Sequence, residues 1–306
     1  MRLDNNGKDD NGKAGTMATM TEHSFQGLSA VGFHRVVYSQ WAGDDPSAGA
    51  GRRTVVCVHG LTRNGGDFDV LAAALAEGGA RVVCPDVVGR GRSEWLAIAD
   101  LYGYPQYLAD MVALLARLDG TSVDWVGTSM GGVIGMLLAS KPNSPIRRLV
   151  INDIGPFVPK AALDRIGDYV GADPVFEDLR AVEAYLRFVY LSFGELTDQQ
   201  WRLMAEHSAR LRPDGRYGLA YDPGIGKIFK SQPMTDVDLW PVWETIRCPV
   251  LVLRGALSDL LTVETACGMA ERGPRARVVE IPGAGHAPSL MSDDQVALVR
   301  DFLTAV

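Results

Sequence analysis

From about residue 25 to the C-terminus, short runs of β-branched residues alternate with longer Ala- and Leu-rich stretches whose apolar positions recur at helical spacing. The candidate strands are 33–41 (FHRVVYSQW), 54–60 (TVVCVHG), 81–89 (RVVCPDVVG), 123–129 (VDWVGTS), 147–155 (RRLVINDIG), 249–255 (PVLVLRG) and 276–283 (ARVVEIPG), with a further one near 25–30. Several are unbroken Val/Ile/Leu runs, which is what strands covered on both faces of a parallel sheet require. Between them, 69–79 carries helical spacing and stops at glycines, while 104–120 opens with Pro105 and stops at Gly120. Both read as crossover helices, so the pattern predicts an α/β fold, a sheet covered by helices.

The alternation breaks after Pro156. Residues 157–243 hold helix-like segments, several Pro/Gly stops and no run that reads as a buried strand, which predicts an inserted helical cap between core segments 25–156 and 244–306. Residues 1–24 are polar and Gly-rich, lack the apolar stretch of a secretory signal and read as a disordered tail. Either Met17 or Met20 could be the true start.

Composition narrows the function classes. With 47% hydrophobic and 22% charged residues the chain is globular. A net charge of -7 without a basic stretch disfavours nucleic acid. The apolar stretch 125–140 is diluted by glycines and stopped by Lys141-Pro142, too short to span a membrane. Four cysteines, Cys57, Cys84, Cys248 and Cys267, show no metal-binding spacing. Cys57 and Cys84 lie in strand-like runs as small hydrophobes, which fits a reducing cytoplasm.

The chemistry concentrates in three places. Gly127-Thr128-Ser129-Met130-Gly131 lies between a strand and a helix-like run, the setting of a nucleophile elbow, where a tight turn presents the serine and small neighbours let strand and helix approach. A serine hydroxyl needs a base. Of the five histidines, His286 alone sits in a loop of small residues after the last strand, in Gly283-Ala284-Gly285-His286-Ala287-Pro288. The imidazole needs a carboxylate to orient it, and Asp259, after the strand PVLVLRG, is the first candidate; Asp153, ending RRLVINDIG, competes with it. The oxyanion donors fall to the backbone N–H groups of Met130, next to the nucleophile, and Leu61, after His59-Gly60.

Taken together, HGLTRNGGDF, PDVVGRGRS, GTSMGG, LRGALSD and GAGHAP, in this order, resemble the α/β-hydrolase superfamily from about residue 25 to the end. The resemblance implies an eight-stranded, mostly parallel sheet, a helical cap inserted after the sixth strand, a structural role for the turn Asp86–Ser93, and no cofactor. Serine rather than aspartate at the elbow disfavours the dehalogenases and epoxide hydrolases of that superfamily, and HGLT lacks the HGGG run of many lipase-like esterases, which points to small substrates. The many aromatics of 157–243 predict a largely apolar acyl or aromatic substrate. The leading expectation is a carboxylic ester hydrolase acting through an acyl-enzyme. The alternatives are a carbon–carbon bond hydrolase of aromatic ring-cleavage products, with Arg63 or Arg90 on the substrate carboxylate, and a non-enzymatic ligand receptor on the same scaffold. Monomer and homo-oligomer remain open.

Overall fold

The computed structural model describes residues 17–43, 52–118, 122–231 and 233–305. Along the chain, strands β1 (Ala18–Ser29), β2 (Gly32–Gly43), β3 (Thr54–Val58), β4 (Arg81–Pro85), β5 (Val123–Thr128) and β6 (Ile146–Asn152) alternate from β3 onward with helices α1 (Asp69–Glu77), α2 (Tyr104–Arg117) and α3 (Met130–Ala139). An insertion follows, bounded by β7 (Phe157–Val158) and β10 (Val237–Asp238). It holds α4 (Lys160–Tyr169), α5 (Leu179–Val189), α6 (Asp198–Ser208), a hairpin of β8 (Ala209–Leu211) and β9 (Tyr217–Leu219), and α7 (Lys227–Ser231). After α8 (Trp240–Trp243) the sheet resumes with β11 (Val250–Gly255), α9 (Val263–Glu271), β12 (Arg277–Ile281) and α10 (Asp293–Thr304).

Eight strands form one sheet in the order β1-β2-β4-β3-β5-β6-β11-β12. The β1–β2 and β2–β4 pairs are antiparallel and the others parallel. The period of two explains the unbroken apolar runs. In β3, Val56 and Val58 face a core built with Trp125, Met111 and Ile134, while Val55 and Cys57 face a second core with Leu71, Val126 and Val299. Every residue of β3 and β11 is buried.

Two expectations change. The tail was expected to extend to residue 24, yet β1 begins at Ala18 and pairs along its length with β2, so 18–24 belong to the sheet. Most of those side chains are exposed, and the segment is held by its backbone ladder, which leaves no apolar signature. Residues 1–16 and the helix stop at Gly120 lie outside the described residues. The insertion also contains two small sheets, β7–β10 and β8–β9, of two and three residues per strand, too short to print a period on the sequence.

The closest packing lies where β5 turns into α3. A Cβ at Gly131 would stand 1.9 Å from the Val58 carbonyl oxygen, and one at Gly127 would stand 2.3 Å from the Gly131 carbonyl carbon. Backbone cannot yield as a flexible side chain does, so Gly131→Ala should cost about 3 kcal/mol or more. Urea unfolding checks this; a loss below about 0.5 kcal/mol, the range of an ordinary surface substitution, would contradict the packing described.

Candidate active site

Ser129 links β5 to α3 at φ 50° and ψ −114°, a backbone conformation that L-residues rarely adopt. The turn is tied down on both sides. The Ser129 N–H donates to the Asn152 carbonyl at 2.9 Å, and the Ser129 carbonyl accepts from Gly132 and Val133 at 2.8 and 3.1 Å. The Trp125 indole donates to the Gly131 carbonyl at 3.0 Å. Thr128, which the sequence leaves without a role, accepts from the Asn152 amide at 3.1 Å, and that amide also reaches the Pro288 carbonyl at 2.8 Å. Asn152 therefore joins the elbow to the histidine loop.

His286 Nε2 lies 3.0 Å from Ser129 Oγ, and His286 Nδ1 lies 2.7 Å from Asp153 Oδ2. A carboxylate only accepts, so Nδ1 carries the hydrogen and, in the neutral imidazole, Nε2 is left to accept from the serine hydroxyl. Asp153 is fully buried one residue past β6, at φ 56°. Its Oδ1 accepts from the Gly255 N–H at 2.7 Å and its Oδ2 also accepts from Ser258 Oγ at 2.6 Å.

This corrects the expectation for Asp259. That residue is more than half exposed and makes a two-pronged pair with Arg165 of α4, at 2.7 and 2.9 Å. In the loop after β11 it is Ser258 that turns inward, donating to Asp153 and accepting from the Leu260 and Leu261 N–H groups. Both aspartates follow adjacent parallel strands, β6 and β11, so the run of letters alone could not rank them. Ser258 and Ser192 were both missed. The latter lies in the insertion, donates to the His286 carbonyl at 2.8 Å and accepts from the Gly285 N–H at 2.6 Å.

The two expected oxyanion donors sit on well-held backbone. Met130 opens α3, where its N–H has no intrahelical acceptor. Gly60 packs beside Ser129, so that a Cβ there would lie 3.8 Å from Ser129 Cβ. His59 Nδ1 is 2.7 Å from the Gly60 carbonyl, and His59 Nε2 accepts from the Val87 N–H at 2.9 Å. Arg90, fully buried, donates to the Leu61 carbonyl at 2.8 Å, the Val88 carbonyl at 2.8 Å and the Tyr107 hydroxyl at 3.0 Å, and contacts Met130 Sδ at 3.6 Å. It thus stands behind both residues expected to supply the oxyanion donors, outside the cavity lining. Arg63 does line the cavity, but Asp67, Ser208 and the Tyr190 ring already hold its guanidinium.

The serine and histidine open into a cavity of about 990 Å³ between the sheet's C-terminal loops and the insertion. Val133 and Leu137 of α3 and Leu163, Ile166 and Tyr169 of α4 make it largely apolar. Only some of the insertion's aromatics reach it, among them Phe188, Phe193 and Phe229, while Trp201 and Trp243 pack in the core. Among the described residues no cluster of His, Cys, Asp or Glu is placed to hold a metal, and no helix is long and apolar enough to cross a membrane.

A family model for the alpha/beta hydrolase family matches residues 55–300. The chain belongs to that family. It is 48% identical over 289 residues to a 3-hydroxybutyrate-oligomer hydrolase of Cupriavidus necator, a match spanning 91% of this chain and 96% of that one. It is 28% identical to a 2-(acetamidomethylene)succinate hydrolase of Mesorhizobium japonicum, over 81% of this chain and 86% of the relative. A solved alpha/beta hydrolase from Novosphingobium aromaticivorans superposes with a TM-score of 0.82 at 35% identity, covering 95% of this chain and all of that one. The chain is thus a hydrolase with the eight-stranded family sheet.

Burial lowers the pKa of His59 to about 4, well below the usual histidine value. In the unfolded chain it titrates near 6.5, so between pH 6.5 and 4 the unfolded state binds the extra proton and stability falls as pH falls. His59→Gln should be less stable than wild type at pH 7, and the gap should narrow by about 3 kcal/mol at pH 4. Urea midpoints at both pH values check this; a gap that stays constant would contradict it.

Proposed function

We propose that the protein is a serine-dependent carboxylic ester hydrolase for small, largely apolar esters, with oligomers of 3-hydroxybutyrate as the first substrates to test. The observation that carries this reading is the hydrogen-bonded chain Ser129–His286–Asp153 opening into an apolar cavity. The 48% identity to a 3-hydroxybutyrate-oligomer hydrolase supports the substrate class.

In this reading Ser129 Oγ attacks the ester carbonyl while His286 Nε2 takes its proton. Asp153 holds the imidazole in the required tautomer and stabilises the imidazolium. The N–H groups of Leu61 and Met130 donate to the oxyanion, and their rigidity is the catalytic asset, since preorganised donors need no rearrangement when charge develops. His286 returns the proton to the leaving alkoxide, giving an alcohol and an acyl-Ser129. Water, deprotonated by His286, then releases the acid. Residues 157–243 act as a cap that excludes bulk water from the cavity, and Ser192 links that cap to the histidine loop. The carbon–carbon reading gains nothing from Arg90, which is turned away from the cavity, or from Arg63, which is already neutralised by Asp67.

Release of 3-hydroxybutyrate from its linear trimer tests the proposal. Wild type should release it, and Asp153→Asn should lose about 10⁴-fold in kcat through the wrong imidazole tautomer. Asp259→Asn should stay within about tenfold, because an exposed pair so placed has little hold on the reacting atoms. No turnover by wild type, or the reverse ranking of the two aspartates, would overturn it.

A further inference from the structure

The cavity is apolar except at a few points, and two of these are cations. Arg63 is buried and spent: Asp67 takes its Nε and Nη2, Ser208 takes Nη1 at 2.8 Å, and its Cζ lies 4.9 Å from the centre of the Tyr190 ring. Arg165 is differently placed. It projects from α4, whose Leu163, Ile166 and Tyr169 line the same cavity, and it is nearly half exposed, with the more exposed Asp259 as its partner. Asp259 stands between Ser258, which touches Asp153, and Leu260, which lines the cavity. The pair therefore sits at the cavity rim, beside the acid end of the Ser129–His286–Asp153 chain.

An ion pair between two solvated side chains is held weakly, so one carboxylate can replace another there. Arginine's planar fork takes any carboxylate in the same two-pronged way as it takes Asp259. We infer that Arg165 is the subsite for a free carboxylate on the substrate, which displaces Asp259, so that the enzyme favours esters ending in an acid over neutral ones. The inference rests on the ester-hydrolase reading above and adds the polar end of the substrate. Oligomers of a hydroxy acid fit this division, with apolar methyl and methylene groups for the cavity and one terminal carboxylate for the rim.

The probes are the linear 3-hydroxybutyrate dimer as the free acid and the same dimer with its acid end capped as a primary amide, which keeps the shape and removes the charge. Wild type should favour the acid by about tenfold in kcat/KM, mainly through KM, the gain of a charged pair in a partly enclosed site. Arg165→Met should remove most of that preference, and Arg165→Lys, which keeps the charge and loses the fork, should retain part of it. Raising the salt should erode the preference in wild type more than in Arg165→Met. Equal use of both dimers by wild type, or a preference that survives Arg165→Met, would overturn the subsite while leaving the ester-hydrolase reading in place. Failure to cleave either dimer would overturn the subsite, and the ester-hydrolase reading would fall with it only if the linear trimer is not cleaved either.

Discussion

The approach of β5, α3 and β3 within the thickness of a glycine is the constraint on which the site depends. Because Gly131 lies against the Val58 carbonyl, α3 begins where β5 ends, and Ser129 must take a positive φ to make the turn. That strain persists because neighbours over-determine it. The Ser129 N–H is taken by Asn152, the Gly131 carbonyl by Trp125, and the Thr128 hydroxyl by the Asn152 amide. Asn152 immediately precedes Asp153, so one short stretch at the end of β6 anchors the turn that presents the serine and carries the carboxylate that meets the histidine. A shift of either would be felt by both.

Buried charge sets the second level of organisation. Arg90 is fully buried and, among the described residues, has no carboxylate partner. An isolated cation in such a place costs several kcal/mol unless its donors are satisfied, and here carbonyl oxygens, the Tyr107 hydroxyl and the faces of Tyr102 and Tyr107 do this. The result is a stiff support linking Leu61, Met130 and the segment after β4. His59 adds to it, remaining neutral so that it can donate to Gly60 and accept from Val87 at once. The turn 86–93 does more than close the chain: its Arg90 side chain reaches the Leu61 carbonyl and the Met130 sulfur, in the two residues whose N–H groups are expected to face the oxyanion.

The centre of the sheet was legible because buried parallel strands are unbroken apolar runs, as in β3 and β11, every residue of which is buried. Of β1 only the part near 25–30 was legible, since its first half, an edge segment held by its backbone with polar Thr19, Thr21 and Glu22 facing solvent, has no apolar signature. The elbow and the histidine loop were readable from small residues at strand ends. The carboxylate that meets His286 was not, because β6 and β11 are neighbours and an aspartate follows each of them; the choice turns on Ser258, which points inward and leaves Asp259 outside. Arg165 and Ser192 were invisible for another reason: both lie on the insertion, where contact with the site depends on how that segment folds over the sheet, and no motif marks them.

The central claim is that one serine, held strained at the β5–α3 turn, is the nucleophile. Peptide-level mass spectrometry after treatment with an organophosphonate ester probe tests it directly, because such a probe bonds only to an activated hydroxyl. The account predicts a single adduct, on Ser129, absent from Ser129→Ala. An adduct on another residue, or one that persists in Ser129→Ala, would contradict it.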